Sequence, residues 1–187
     1  MKYLFLLLIF SIAGCSEPAP LPPLSEKTVD GIRLQPRTLL DGDLQLLIPE
    51  GFTLMSEKNI KLKYPSERRP TLVFSNVSGS VNVAINYTTN SMSQGRINRF
   101  HRDLEEMFQK QFPTATWYQS GVADINGRKW ALLNLTTPAA DIDVHNLMVG
   151  TTLNRRLLLV TFNVTKDLEE MWLNPGQAVI QSLSVRD

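Results

Sequence analysis

The sequence predicts an α+β fold, and three features indicate that class. Short apolar runs separated by turn residues recur from residue 44 onward, as expected for the strands of a mainly antiparallel sheet. One segment, residues 93–112, instead places its apolar residues at helical spacing. Two of the apolar runs flank Asn126-Gly127, a dipeptide that favours the positive φ angles of a tight hairpin turn. Antiparallel strands combined with separate helices define the α+β class.

The predicted strands pair along the chain as hairpins. They are residues 44–48, 71–77, 81–88, 117–125, 129–136, 144–152 and 156–164. Pro49 and Gly51 end the first strand, and Ser78-Gly79-Ser80 is short enough to join the second and third. Asn126-Gly127 joins the fourth and fifth, and a turn around Asn154 joins the last two. Each pairing is antiparallel because the connections are short.

Residues 93–112 form the predicted central helix, with Ser93 as N-cap and Pro113 after its end. Its apolar stripe consists of Ile97, Phe100, Leu104, Met107, Phe108 and Phe112. The opposite face carries charged pairs four residues apart: Arg99 with Asp103, Arg102 with Glu106, and Glu106 with Lys110. That spacing favours a solvated, self-paired face over an anion-binding ridge. A short terminal helix is predicted over residues 175–183, with Pro175 in its first turn.

The N-terminal residues have the pattern of a secretory signal. Lys2 precedes an apolar run over residues 3–10, and Ala13-Gly14 stands directly before Cys15, the only cysteine. The run is too short to span a bilayer, which needs roughly 20 apolar residues. The stretch resembles the lipobox of bacterial lipoproteins, with Ile12 where Leu is usual. The resemblance implies that Cys15 becomes the N-terminus and carries fatty acyl chains such as palmitate, whereas an ordinary cleaved signal with a free thiol is the alternative.

The residues after Cys15 indicate where such an anchor would be held. Ser16 replaces the Asp that is common in lipoproteins kept in the inner membrane, so the resemblance favours the periplasmic leaflet of the outer membrane. The periplasmic face of the inner membrane is the alternative. Four prolines between Glu17 and Leu24 favour an extended polyproline II spacer. We therefore predict a signal peptide over 1–14, a lipidated tether over 15–37 and one α+β domain over 38–187.

Composition excludes one large class of partner. Cleavage before Cys15 removes 14 of the 187 residues and leaves 173, enough for one domain with a real core. Lys2 leaves with the signal, so the 19 basic side chains become 18 and balance the 18 acidic ones. A nucleic-acid-binding domain would be clearly basic, so we expect no nucleic-acid partner.

Few residues of the sequence are suited to catalysis. It contains no Gly-x-Ser-x-Gly elbow, no phosphate-binding loop and no dinucleotide fingerprint. His101 lies at the edge of the helix stripe, where a partly buried, hydrogen-bonded ring is the ordinary outcome. His145 stands near Asp141 and Asp143, which could form a metal site only if the three side chains converge. We expect no enzyme activity, no catalytic residue, no metal site and no cofactor.

Candidate contacts for a partner are loop arginines and aromatic side chains. Arg68-Arg69 and Arg155-Arg156 could bind anionic head groups or an acidic protein, although ordinary solubilising charge is the alternative. The aromatics to consider are Trp117, Tyr118, Trp130 and Trp172, with Trp130 taken as a candidate contact and core packing as the alternative.

Four segments can be compared with known families: LLDGDLQLLIPEGF, YPSERRPTLVFSN, ADINGRKWALLNL and the closing VIQSLSV. Together with the central helix they resemble the DcrB-like lipoproteins, which share the fold of the PsbP photosystem subunit and the Ran-binding Mog protein. The resemblance implies a twisted, mainly antiparallel sheet of six or seven strands flanked by helices. It also implies a non-catalytic accessory protein of the cell envelope, tethered to the membrane through Cys15 and bound to an envelope protein. A binder of a lipidic or small-molecule ligand, or a chaperone-like factor for a secretion system, is the alternative.

Overall fold

The computed structural model describes residues 20–67 and 69–186, which contain eleven strands and three α-helices. The predicted signal peptide, the predicted lipidation site Cys15 and Arg68 lie outside these residues. The strands are β1 Lys27–Val29, β2 Ile32–Leu39, β3 Leu44–Pro49, β4 Thr53–Leu54, β5 Leu72–Ser75, β6 Val81–Ser91, β7 Thr116–Ile125, β8 Arg128–Thr137, β9 Val144–Leu153, β10 Arg156–Thr165 and β11 Ser184–Val185. The helices are α1 Glu57–Lys63, α2 Ile97–Gln111 and α3 Glu169–Gln181. None of them is long and apolar enough to cross a bilayer.

The larger sheet has seven strands in the order β4-β5-β6-β10-β9-β8-β7, and all of its pairs are antiparallel. The predicted α+β class and the seven-stranded antiparallel sheet are confirmed. Its hairpins close at turns with positive φ: 51° and 78° at Asn126 and Gly127, and 48° and 59° at Asn154 and Arg155. The order places β4 at one edge of this sheet and β7 at the other.

A second sheet, in the order β1-β2-β3-β11, corrects the predicted tether. Residues 27–37 were assigned to the tether, but they form β1 and most of β2. Asp30 and Gly31, with φ of 49° and 79°, make the turn between the two strands. The sequence of β2 lacks a clear alternation of apolar and polar residues, because Leu34 is its one fully buried residue and Pro36 lies within the strand. Pro36 is tolerated because β1 pairs only with residues 32–34, which leaves one side of β2 open at the proline.

The main core lies between the two sheets and includes α3. This helix begins at Glu169, six residues before the predicted start, and holds Pro175 in its interior rather than in its first turn. Pro175 and Gly176 are both buried. A Cβ at Gly176 would lie 2.5 Å from Cε1 of Phe162, so the absent side chain lets α3 approach β10 closely. The stabilisation from packing α3 against the sheets therefore exceeds the cost of the helix hydrogen bond that Pro175 cannot donate.

Two helices cover the other face of the seven-stranded sheet. The central helix α2 packs over β7 and β8, with Ile97 and Leu104 buried, while Met107 of the predicted stripe stays 42% exposed. Two of its predicted charge pairs, Arg99–Asp103 and Lys110–Glu106, are observed as salt bridges. The short helix α1, which is not among the predicted helices, buries Ile60 against Val73 and Ala84 near the β4 edge.

Candidate functional site

Trp130 is not a contact residue, which corrects the prediction. Its side chain is 0% exposed and belongs to the core between the two sheets. Trp117 packs partly buried against α2, and Trp172 lies 5.4 Å from Phe52 between ring centroids. Of the four aromatics considered, Tyr118 is the one with a largely exposed side chain, at 49%.

The arginine candidates have different environments. The Arg156 guanidinium lies 4.1 Å from the Tyr87 ring centroid, and its Nε donates to the backbone oxygen of Thr88 at 2.7 Å. Arg156 therefore contacts two residues of β6 and helps to hold β10 against that strand. Arg155 is exposed in the hairpin turn, and Arg69 is partly buried just before β5.

The two histidines lie on opposite faces of the sheet. His101 of α2 is partly buried and its Nε2 lies 2.7 Å from Oγ of Ser120, as predicted. His145 of β9 is 1% exposed, and its two ring nitrogens contact Glu169 and Asn134 instead of Asp141 and Asp143. Among the residues that the structure describes, no group of three or more His, Cys, Asp or Glu side chains could hold a metal ion.

His145 instead belongs to a polar network that we call the Tyr118 cluster: Tyr118, Asn134, Thr136, His145, Lys166 and Glu169. Nδ1 of His145 lies 2.8 Å from Oε1 of Glu169, and Nε2 lies 2.7 Å from Oδ1 of Asn134. The other carboxylate oxygen of Glu169 forms a salt bridge with Lys166. Glu169 is the first residue of α3, so the cluster joins that helix to β8 and β9.

Charge within the cluster is set by burial and by three close partners. Burial lowers the pKa of His145, and the charge and hydrogen bond of Glu169 offset only part of that effect. Burial alone would raise the pKa of Glu169, but Lys166 and His145 together hold it below its usual value. The hydrogen bond to Glu169 in turn raises the pKa of Lys166. The cluster thus favours a neutral imidazole beside an ionised carboxylate–ammonium pair.

A neutral His145 constrains its neighbours. If the proton on Nδ1 is donated to Glu169, Nε2 becomes an acceptor. Asn134 can satisfy Nε2 when its amide nitrogen, rather than Oδ1, faces the ring. A protonated ring needs the opposite orientation of that amide, so the charge of His145 and the orientation of Asn134 are coupled.

Tyr118 closes the cluster on its outer side. Its ring stacks on the His145 imidazole, and its hydroxyl lies 3.3 Å from Oγ1 of Thr136. A β-bulge positions it: Trp117 pairs with Leu135 and Gln119 with Asn134, which leaves Tyr118 as the extra residue of β7. Bulges of this kind redirect a side chain at a sheet edge. Tyr118 is consequently held in place on one side and open to solvent on the other.

The predicted position of His145 on a strand is confirmed, but the sequence did not identify the side chains that its ring contacts. Thr136 lies directly opposite His145 in the β8–β9 pairing, and Asn134 points to the same face two residues earlier. Those two neighbours could have been found from the hairpin register. Glu169 and Lys166 could not, because nothing local shows that the start of α3 packs on β9.

A separate open groove of about 780 Å³ lies at the β4 edge of the sheet. It is formed by β4, α1 and the turn between β5 and β6. Three apolar side chains that line it are strongly exposed: Leu54 at 56%, Leu62 at 73% and Val77 at 103%. Nζ of Lys63 donates to the backbone oxygen of Gly79 across the groove.

Comparison with known proteins gives structural neighbours but no sequence relatives. The chain matches no protein-family model and no curated protein sequence. The solution structure of cyanobacterial PsbP (CyanoP) from Synechocystis sp. PCC 6803 aligns with a TM-score of 0.59 at 14% identity, covering 90% of this chain and 100% of that one. This protein has the PsbP-like fold. That part of the predicted resemblance is confirmed.

Two further structures share the fold. LpqN of Mycobacterium tuberculosis, described as involved in cell envelope biogenesis, aligns with a TM-score of 0.54 at 12% identity, covering 83% of this chain and 92% of that one. PA94 of Pseudomonas aeruginosa, a protein of unknown function, aligns with a TM-score of 0.50 at 16% identity, covering 82% and 98%. At these identities the similarity defines the fold alone.

Proposed function

We propose that this protein is a non-catalytic binding protein of the bacterial cell envelope, related to the DcrB-like lipoproteins and anchored through lipidated Cys15. Its anchor lies in the periplasmic leaflet of the outer membrane. It docks an envelope protein along the β7 edge of the larger sheet, with Tyr118 as the central contact. The lipobox-like sequence before Cys15 supports the anchor, and the shared fold of an envelope-biogenesis protein, LpqN, agrees with the location.

The position of Tyr118 is the observation that carries the binding role. Tyrosine is enriched among the side chains that dominate binding energy, since it buries a large surface with few rotatable bonds. Here the ring is 49% exposed, yet the stack on His145 and the hydroxyl contacts already restrict it. A partner that covers Tyr118 would therefore lose little side-chain entropy.

The edge strand offers backbone contacts beside that side chain. β7 spans ten residues and pairs with β8 on one side, so its other side can accept an added strand. Val122, four residues beyond Tyr118, is 37% exposed. The Tyr118 cluster supports binding rather than proton transfer, because the His145 ring is 1% exposed and both of its nitrogens are engaged inside the protein.

Crosslinking in living cells tests the docking site. A photoreactive phenylalanine analogue at Gln119 or Val122 should give one reproducible adduct with an envelope protein. The same analogue at Met107, which is exposed on α2, should give none. Tyr118→Ala should abolish the adduct formed from position 122. Equal adduct patterns at 107 and 122, or no adduct at 119 and 122, would refute docking at β7.

Anchoring is tested separately. The unsubstituted protein should incorporate labelled palmitate and fractionate with the outer membrane, whereas Cys15→Ala should persist as an uncleaved, unlipidated precursor. A fully processed, soluble Cys15→Ala protein would refute the anchor without bearing on β7.

A further inference from the structure

The groove at the β4 edge combines exposed apolar side chains with positive charge. We use the name α1 surface for the groove-lining side chains Leu54, Leu62 and Val77 together with Lys58 and Lys61, which are exposed on α1 beside the groove. Lys58 and Leu62 are four residues apart and share one side of α1. Residues 53–70 contain five basic and two acidic side chains, whereas the chain as a whole is nearly balanced.

The positive charge of α1 exceeds its negative charge. Glu57 forms a salt bridge of 2.5 Å with Lys61, which offsets one acidic against one basic side chain and leaves the other lysines as the excess. The bond to Lys61 lowers the pKa of Glu57, and the charge of Arg69 lowers it further, so Arg69 lies near the start of α1. Lys58 and Lys63 add to the remaining positive charge of the helix.

We infer that the α1 surface rests on the anionic lipid bilayer that carries the anchor, with Leu54, Leu62 and Val77 entering the head-group region. Apolar side chains flanked by lysines are typical of interfacial membrane contact. Each Lys or Arg side chain near an anionic membrane adds electrostatic attraction. This inference rests on the proposed anchor at Cys15.

The tether keeps such a contact within reach. The proposed tether has nine residues, Ser16 to Leu24, and a polyproline II chain of that length reaches about 28 Å at ~3.1 Å per residue. A domain held at that distance meets the same bilayer repeatedly, so a weak surface affinity is enough to orient it. The positive charge fits either an anionic phospholipid surface or an acidic protein. The three exposed apolar side chains beside the lysines favour the lipid surface.

Orientation on the bilayer would also serve the proposed docking role. The β4 and β7 strands are the two edges of the seven-stranded sheet, six strand spacings or about 29 Å apart. With the α1 surface on the lipid, the β7 edge and Tyr118 are directed into the periplasm.

A single introduced thiol tests this contact. Lipidation would block Cys15, so Leu62→Cys or Val77→Cys carries the free thiol for a polarity-sensitive dye. The lipidated protein is reconstituted in vesicles of phosphatidylethanolamine with phosphatidylglycerol, or with phosphatidylcholine instead. We expect blue-shifted emission and at least two-fold protection from iodide quenching at 62 and 77 with phosphatidylglycerol only. Met107→Cys, equally apolar but on α2, is the matched control and should remain quenchable.

Charge reversal separates lipid contact from other causes of protection. Lys58→Glu combined with Lys61→Glu should remove the protection at 62 and 77, whereas Lys110→Glu on α2 should not. Protection that persists in the double variant, or is equal in both lipid mixtures, overturns the inference, as does quenching at 62 equal to that at 107. Dye attachment to the unsubstituted protein would show instead that Cys15 is free. In that case the labelled protein is mixed with the same vesicles without an anchor. The same comparisons of quenching at positions 62, 77 and 107 then test whether the α1 surface contacts the lipid.

Discussion

The Tyr118 ring stacks on the His145 imidazole, with 5.0 Å between ring centroids and 12° between the ring planes. One ring is half exposed on an edge strand and the other is buried in the sheet. The contact therefore couples a surface available to a partner with a titratable group inside the fold.

Loss of the stack should lower stability measurably. We expect Tyr118→Ala to reduce the free energy of unfolding by about 0.5–1.5 kcal/mol, the usual range for an aromatic pair. Tyr118→Phe keeps the stack and loses only the hydroxyl contacts, so its loss should be smaller. Urea unfolding at pH 7.5 measures both. Equal losses would mean that the hydroxyl, not the ring, supplies the stabilisation.

Burial of His145 should make stability depend on pH. In the unfolded chain its pKa returns to about 6.5, above the lowered value in the folded protein. Between those two values the unfolded chain binds more protons, so the free energy of unfolding falls as the pH drops below about 7. The groups that face the ring are Tyr118, Asn134, Thr136, Lys166 and Glu169.

Substitution isolates this contribution. His145→Gln removes the titration, so its loss of stability between pH 7.5 and pH 5.5 should be smaller than that of the unsubstituted protein. Met107→Gln, which removes no titratable group and lies on the opposite face of the sheet, should leave the pH dependence unchanged. The measurement is urea unfolding at four pH values in that interval. Parallel curves for the unsubstituted protein and His145→Gln would contradict the assignment.

The approach of α3 to β10 should be intolerant of a methyl group. Gly176→Ala places a Cβ 2.5 Å from Cε1 of Phe162. Overpacking typically costs about 1–3 kcal/mol, more than the ~1 kcal/mol that alanine adds in helix propensity. We expect a net loss in thermal or urea unfolding. Gln177→Ala, exposed on the same helix, is the control, and a stabilised Gly176→Ala would show that the ring can move away.

The turn between β9 and β10 should gain from glycine. Arg155 has a φ of 59°, a conformation that costs a residue with a side chain about 1–2 kcal/mol. We expect Arg155→Gly to raise the free energy of unfolding by about 1 kcal/mol at most. Glycine relieves the backbone strain, but part of that gain is offset because it also increases the conformational entropy of the unfolded chain. Gly127→Ala at the equivalent turn should have the opposite sign. A destabilised Arg155→Gly would mean that the arginine side chain makes a contact worth more than the strain.

The elements that the sequence predicted well are those with local determinants. The Asn126-Gly127 hairpin needs only a turn dipeptide and the alternation on either side of it, and α2 needs only its own apolar stripe. Both lie within stretches of about 20 residues, so their stabilising contacts are visible in the order of residues. The class of the fold followed from these elements.

The remaining features depend on contacts between distant residues. The pairing of Ser184 with Gln45 joins residues far apart in the chain and completes the smaller sheet. β2 becomes a strand because it pairs with β3, and β1 then pairs with β2. Burial of Trp130 follows from the same packing, since a second sheet covers its strand. A sequence pattern shows that a residue is apolar, but it does not show which surface will cover it.

The Tyr118 cluster shows the same division. The sequence by itself determined that His145 and Asn134 lie on strands, each in a different predicted hairpin, and the pairing of those two strands is a finding of the structure. Only the tertiary structure brought Glu169 to Nδ1, because that contact requires α3 to begin six residues early and to pack its first turn on β9. Local hydrogen bonding and periodicity decide secondary structure, whereas the partner of a buried charge is decided by how whole elements pack.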